Sequence, residues 1–111
     1  MPTSSQPKML LTITTITDID KGKLLERQII DNQLAACCNI MPRVTSIYRW
    51  KGELCEDQEC LLVIKTVETR FKQISEFIKQ QHPYETPELI ALPVTKSTQE
   101  YLSWVIQETS Y

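Results

Sequence analysis

Two hydrophobic periods alternate along these 111 residues, and their order predicts an α+β sandwich. Apolar runs rich in β-branched residues mark four strands, and helical stripes mark three helices, in the order β-α-β-β-α-β-α. Gly52 falls between the two longest strand-like stretches and predicts a long hairpin. Two βαβ-like halves joined by that hairpin make a ferredoxin-like sandwich, βαββαβ plus a C-terminal helix. It has an antiparallel sheet with helices on one face.

The elements follow in order. Met9 to Ile16 is apolar and β-branched, a mostly buried strand. Thr17, Asp18 and Asp20 supply helix-capping candidates. Leu24, Leu25, Ile29 and Ile30 then place a helix running to about Leu34, although Gly22 in its first turn disfavours it. Leu34 to Ile40 is extended, Pro42 calls for a bulge or an edge, and Val44 to Trp50 resumes the strand. On that strand Val44, Ser46, Tyr48 and Trp50 share one face, and Thr45, Ile47 and Arg49 the other. Lys51-Gly52-Glu53 is the turn, and Leu54 to Thr66 is the return strand. Its dense part, Leu61-Leu62-Val63-Ile64, needs cover on both faces and so belongs in the middle of the sheet. Phe71, Ile74, Phe77 and Ile78 line one side of a helix over Glu68 to Gln81, which Pro83 ends. Glu88 to Val94 is a short strand whose Pro93 puts it at an edge or a bulge. Ser97-Thr98-Gln99-Glu100 reads as a capping box opening the last helix. Residues 1–8 read as a flexible N-terminus and 9–111 as one domain.

Composition narrows the function classes. The chain is 41% apolar and 23% charged with net charge −2, so it lacks the basic surplus that nucleic-acid binding uses. No apolar run approaches membrane-span length, and no export signal is visible, so the expected location is cytoplasmic. Cys37, Cys38, Cys55 and Cys60 have no C-x-x-C spacing and read as reduced, small hydrophobes. An RNA-binding module of this topology needs aromatics on its inner strands, and Met9–Ile16 and Cys60–Thr66 have none. A copper-chaperone loop is missing after the first strand. A phosphatase cradle lacks its glycine-rich loop. An oligomeric binding or regulatory protein fits better.

Candidate site residues concentrate in His82-Pro83-Tyr84-Glu85-Thr86-Pro87-Glu88. The two prolines stiffen this connector and hold its polar side chains in fixed directions. The lone histidine suits copper(II) or another divalent cation, with Glu85, Glu88 or Cys37 as companion ligands. One imidazole falls short of the three or four ligands of tight sites, so binding is expected to be weak. Lys65 interrupts an apolar strand and needs a partner or a ligand. With Tyr84 and Glu88 it is the candidate for a small-anion or effector pocket at a subunit cleft. Tyr48, Arg49 and Trp50 near the hairpin tip are interface residue types, and they point to a closed oligomer. No nucleophile–base pair is evident, so no catalytic residue is assigned and no organic cofactor is expected. A small hydrolase remains the rival class.

Several segments together resemble the CutA divalent-cation (copper) tolerance family. They are Leu34-Ala35-Ala36-Cys37, Ser46-Ile47-Tyr48-Arg49-Trp50-Lys51-Gly52, Ile64-Lys65-Thr66, the His82–Glu88 loop and Tyr101-Leu102-Ser103-Trp104. The resemblance runs from about Met9 to Ile106 in the family's order and spacing. It implies a cytoplasmic homotrimer of ferredoxin-like protomers, assembled like PII-type signalling proteins and linked to copper and divalent-metal tolerance. No enzymatic activity is implied. The bacterial copper pattern has a cysteine late in the first strand and two histidines before Pro-Tyr. Here Thr14 and Gln81-His82 stand at those positions, so only His82 matches.

Overall fold

The structure, a computed structural model, describes residues 6–110. Residues 1–5 of the expected loose N-terminus, and Tyr111, lie outside the described residues. Lys8 already belongs to the domain, since its carbonyl accepts the Glu68 N–H at 2.8 Å.

Four strands form one sheet: β1 (Met9–Ile16), β2 (Cys37–Trp50), β3 (Glu53–Val67) and β4 (Ile90–Pro93). Their order is β2-β3-β1-β4, with every neighbouring pair antiparallel. Helices α1 (Ile19–Asp31), α2 (Phe71–Gln81) and α3 (Gln99–Glu108) complete the chain, with a 3-10 turn at Glu68–Arg70 leading into α2. This is the ferredoxin-like fold that the pattern predicts. The dense β3 is central, and the proline-bearing strands β2 and β4 are the edges. Pro42 sits in a register shift between Met41 and Val44, where a strand can lose a backbone donor.

Alternation divides the sheet into two faces. Ile16, Cys60, Leu62 and Ile64 point towards α1 and α2, where they pack with Leu25, Ile29, Ile74 and Ile78 in the main core. Gly22, read from sequence as a weakness in α1, is what lets that helix settle. A Cβ there would stand 3.0 Å from Ile16 and 3.1 Å from Ile40. Asp18 caps α1 through its Oδ1, which accepts the N–H groups of Asp20 and Lys21. The helix ends in a Schellman motif. Gln33 takes a φ of 57°, its N–H reaches Ile30 O, and the Leu34 N–H reaches Ile29 O, which drops Leu34 into the core. The expected end at Leu34 is therefore three residues late.

The opposite face is covered only at one end. There α3 packs Val105 and its neighbours on Met9 and Val67. Beyond that patch Leu11, Ile13, Leu61 and Val63 alternate on the face with no helix over them, and Met41, Ile90 and Leu92 flank them on the edge strands. At the N-terminus of α3 the cap is Thr98, whose hydroxyl accepts the Tyr101 N–H at 3.3 Å. Ser97, the expected first residue of a capping box, lies one position outside the helix and donates to the Thr98 carbonyl instead.

Candidate functional site: a cleft between the hairpin and the His82 loop

The β2–β3 hairpin turns through Lys51 and Gly52, both with positive φ (51° and 84°), and Glu53 already belongs to the strand. That two-residue turn matches the twist of the strands and pins their register. Counting outwards from it, Trp50 pairs Glu53, Tyr48 pairs Cys55, Ser46 pairs Asp57 and Val44 pairs Glu59. All of these side chains share the uncovered face of the sheet. The Tyr48 hydroxyl donates to Asp57 Oδ2 along this row.

The His82–Glu88 loop meets the hairpin from the other side. His82 is the C-cap of α2, its N–H still bonded to Ile78 O at 2.9 Å, and Pro83 stops the helix there. The imidazole is buried, 7% exposed, and ties two segments together. Nε2–H donates to the Thr15 carbonyl at 2.7 Å, and Nδ1 accepts the Tyr84 N–H at 3.1 Å. A carbonyl can only accept, so this pair of bonds defines the neutral Nε2–H tautomer. Tyr84 stands edge-on to the imidazole, with ring centroids 4.6 Å apart, and its hydroxyl donates to Glu59 Oε2 at 2.6 Å. Glu59 is 7% exposed. Burial and the hydrogen bond to Glu59 push the Tyr84 phenol up to about 12. The hydrogen bond to Asp57 does the same for Tyr48, which also reaches about 12. Both phenols therefore stay protonated donors at neutral pH.

Between these walls lies a cleft of 630 Å³, bounded by Thr15 and Thr17, by Tyr48, Trp50, Asp57 and Glu59 of the hairpin, and by Tyr84, Glu85 and Glu88 of the loop. Of the expected pocket residues, the structure brings Tyr84 and Glu88 to the cleft. Lys65 is placed elsewhere, in register with Leu11 and Cys37. That is four residues from Leu61, which pairs Thr15, or about 13 Å along the strand. Glu85 pairs Lys51 at 3.9 Å. Of the expected interface residues, Tyr48 and Trp50 lie on the open face and Arg49 on the other, all exposed. Leu54, 72% exposed, joins Arg49 and Ile47 there, a second apolar patch at the tip not singled out from sequence. Asp57 and Glu59 were missed as well. The register counted from Gly52 would have put both on the Tyr48 face.

The expected metal ligands do not form a site within one chain. Both ring nitrogens of His82 are already bonded to backbone. Cys37 lies beside Lys65 at the far end of the open face. Among the described residues no three His, Cys, Asp or Glu side chains converge as ligands. A cation at His82 requires a rearranged loop or donors from a second chain.

A four-stranded ferredoxin-like sheet, with α1 and α2 on one face and α3 at one end of the other, a long hairpin and a stiff His-Pro-Tyr loop define the class. The family described as CutA1 divalent ion tolerance protein matches residues 10–108, and the chain belongs to that family. The chain is 40% identical over 99 residues to the divalent-cation tolerance protein CutA of Thermus thermophilus, covering 89% of this chain and 96% of that one. It is 46% identical over 88 residues to mouse protein CutA, covering 79% of this chain but 50% of the mouse protein. The crystal structure of CutA1 from Oryza sativa superposes with a TM-score of 0.92 at 37% identity, covering 96% of this chain and 98% of that one. A chloroplastic protein CutA of Arabidopsis thaliana is 37% identical over 100 residues, covering 90% of this chain and 55% of that protein. Among the described residues no helix is long and apolar enough to cross a membrane.

Proposed function

We propose that the chain acts as a homotrimer in divalent-cation tolerance, as a cytoplasmic binding module of PII-like assembly with no catalysis of its own. The uncovered apolar face carries this reading. Leu11, Ile13, Leu61 and Val63 form a continuous patch bordered by exposed Met41, Ile90 and Leu92. Patches of this kind mark association surfaces. Burying one identical face per subunit in a closed ring removes it without leaving a free edge. The hairpin, which helps stretch the molecule to 54 × 27 × 23 Å, would then embrace a neighbour with Tyr48 and Trp50. The names of the relatives supply the metal-tolerance role. The neutral, doubly bonded His82 supports the non-catalytic part, because its ring has no free nitrogen to act as a base. Lys65 on the open face becomes available to a cleft on the adjoining subunit, which is where an effector pocket including it would form.

Light scattering tests the assembly. A mass three times the 12.9 kDa chain is expected at micromolar concentration. Val63→Glu puts a charge in the middle of the contact and yields folded single chains, and Trp50→Ala weakens the trimer more than Lys72→Ala on the surface of α2. A wild-type mass of one chain overturns the reading.

A further inference from the structure

Helix α1 and the outer strand β2 enclose a groove on the helix side of the sheet. Its volume is 350 Å³, at the small end of the range for ligand sites. Lys23, Glu26, Arg27, Ile30 and Asp31 line it from α1, and Cys38 lines it from β2. The spacing explains the set, because positions three and four apart share one side of a helix. Cys38 stands opposite Ile64, which belongs to the main core, so the groove lies on the face that α1 and α2 cover. None of its lining residues belongs to the proposed subunit contact.

One wall of this groove is chemically unfinished. Glu26 is 9% exposed, and its Oε2 is buried with no hydrogen-bond partner among the described residues. A buried polar atom left unpaired costs free energy that a ligand can recover. The groups around it select the ligand. Lys23 and Arg27 are exposed beside Glu26, and among the described residues no ion pair holds either of them. Burial raises the Glu26 carboxyl to about 7. Burial raises the Cys38 thiol too, with Glu26 and Cys37 adding to the effect. Below neutral pH the groove therefore presents two protonated groups between two cations. A carboxylic acid kept neutral by its surroundings donates a hydrogen bond, and an oxyanion is its strongest acceptor. A cationic ligand would be repelled by Lys23 and Arg27. A metal ion would lack donors, since among the described residues no three His, Cys, Asp or Glu side chains converge. Asp31 is the one fixed negative charge in the lining, and it opposes a second anionic group on the ligand.

We propose that this groove binds a small monocarboxylate, its oxygens on Glu26, Lys23 and Arg27 and its short apolar chain along Ile30 and Cys38. The site goes beyond the metal-tolerance reading and does not depend on the trimer. Titration of the full chain with butyrate at pH 6, followed by amide NMR shifts, tests it. Chloride, sulfate and succinate at matched ionic strength are the comparison anions. Saturable shifts are expected in α1 and around Cys38. Arg27→Gln, at an exposed position, should weaken butyrate about tenfold by loss of a charged hydrogen bond, and Lys72→Gln on α2 should not. Between pH 6 and pH 8 wild-type affinity should fall about tenfold as Glu26 gives up its proton. Glu26→Gln keeps a donor and has nothing to titrate, so it should bind equally at both pH values, and Glu26→Ala poorly at both. The other charged or titratable groups around Glu26 are Lys23, Arg27 and Asp31 on its own helix and Cys38 with Cys37 on β2. A fall with pH that Glu26→Gln shares belongs to those neighbours and overturns the assignment. So does the absence of saturable binding, sulfate, chloride or succinate binding as tightly as butyrate, or shifts confined to the hairpin.

Discussion

At the scale of single residues, Glu26 behaves least like its sequence neighbours. It lies on the inner side of α1, 9% exposed, and its Oε2 has no hydrogen-bond partner among the described residues. Burial without a partner lifts its carboxyl from the ordinary 4.5 to about 7. The folded chain thus holds this proton more tightly than the unfolded chain. The resulting stability is fully present below about pH 4.5 and is lost as pH rises through about 7. The loss amounts to up to about 3 kcal/mol. Glu26→Gln removes the titration, so thermal unfolding should find it close to wild type at acid pH and more stable than wild type at pH 8. A stability gap that does not change with pH would remove Glu26 from the account. Helical spacing put this position near the apolar stripe of Leu25 and Ile29. Its burial depends on how α1 is rotated against the sheet and on the proximity of Cys38, whose thiol is itself pushed up by burial and by Glu26.

At the scale of elements, the hairpin is the device that positions the cleft. The two positive-φ residues Lys51 and Gly52 fix which side chains of β2 and β3 face each other, and therefore put Tyr48 with Asp57. Gly52 has open space around a built Cβ, so a substitution there is opposed by backbone conformation and not by packing. Gly52→Val should cost about 1–3 kcal/mol, because a β-branched residue resists the left-handed region. Urea unfolding reads that cost, and under the proposed assembly weaker trimer formation should accompany it. A variant as stable as wild type would mean that the turn does not hold the register. The hairpin itself was legible from alternation and one glycine. The extent of β2 was not, since Pro42 breaks the pattern while Arg43, at φ 60°, lets the strand continue past it.

At the scale of the whole molecule, the two sheet faces have different fates within one chain. Helices α1 and α2 cover one, and the other carries only α3 at one end. Metal binding belongs at this scale, because among the described residues the donors of a single chain do not converge. Copper(II) at His82 must displace the bond to Thr15 O or to the Tyr84 N–H, or draw ligands from a neighbour. Affinity should therefore be micromolar or poorer, about −8 kcal/mol or smaller in magnitude. Copper(II) titration with thiols kept reduced should show that weak binding in the wild type and less in His82→Ala. Equal affinity in the two would move the metal to the cysteines.

The order and type of the elements and the central place of β3 were legible in the sequence, whereas the prolines of β2 and β4 left edge and bulge open until the strand order resolved them. What was legible depends on local periodicity, on proline and glycine geometry, and on motifs that are continuous in the chain. Only the tertiary structure decided that His82 is spent on tying Thr15 to Tyr84, that Lys65 stands apart from Tyr84 and Glu88, and that Asp57 and Glu59 complete the cleft. Those facts depend on which residues meet across the sheet and around the end of β1. Such meetings join positions far apart in sequence, His82 with Thr15 and Tyr84 with Glu59, and packing rather than local pattern selects them.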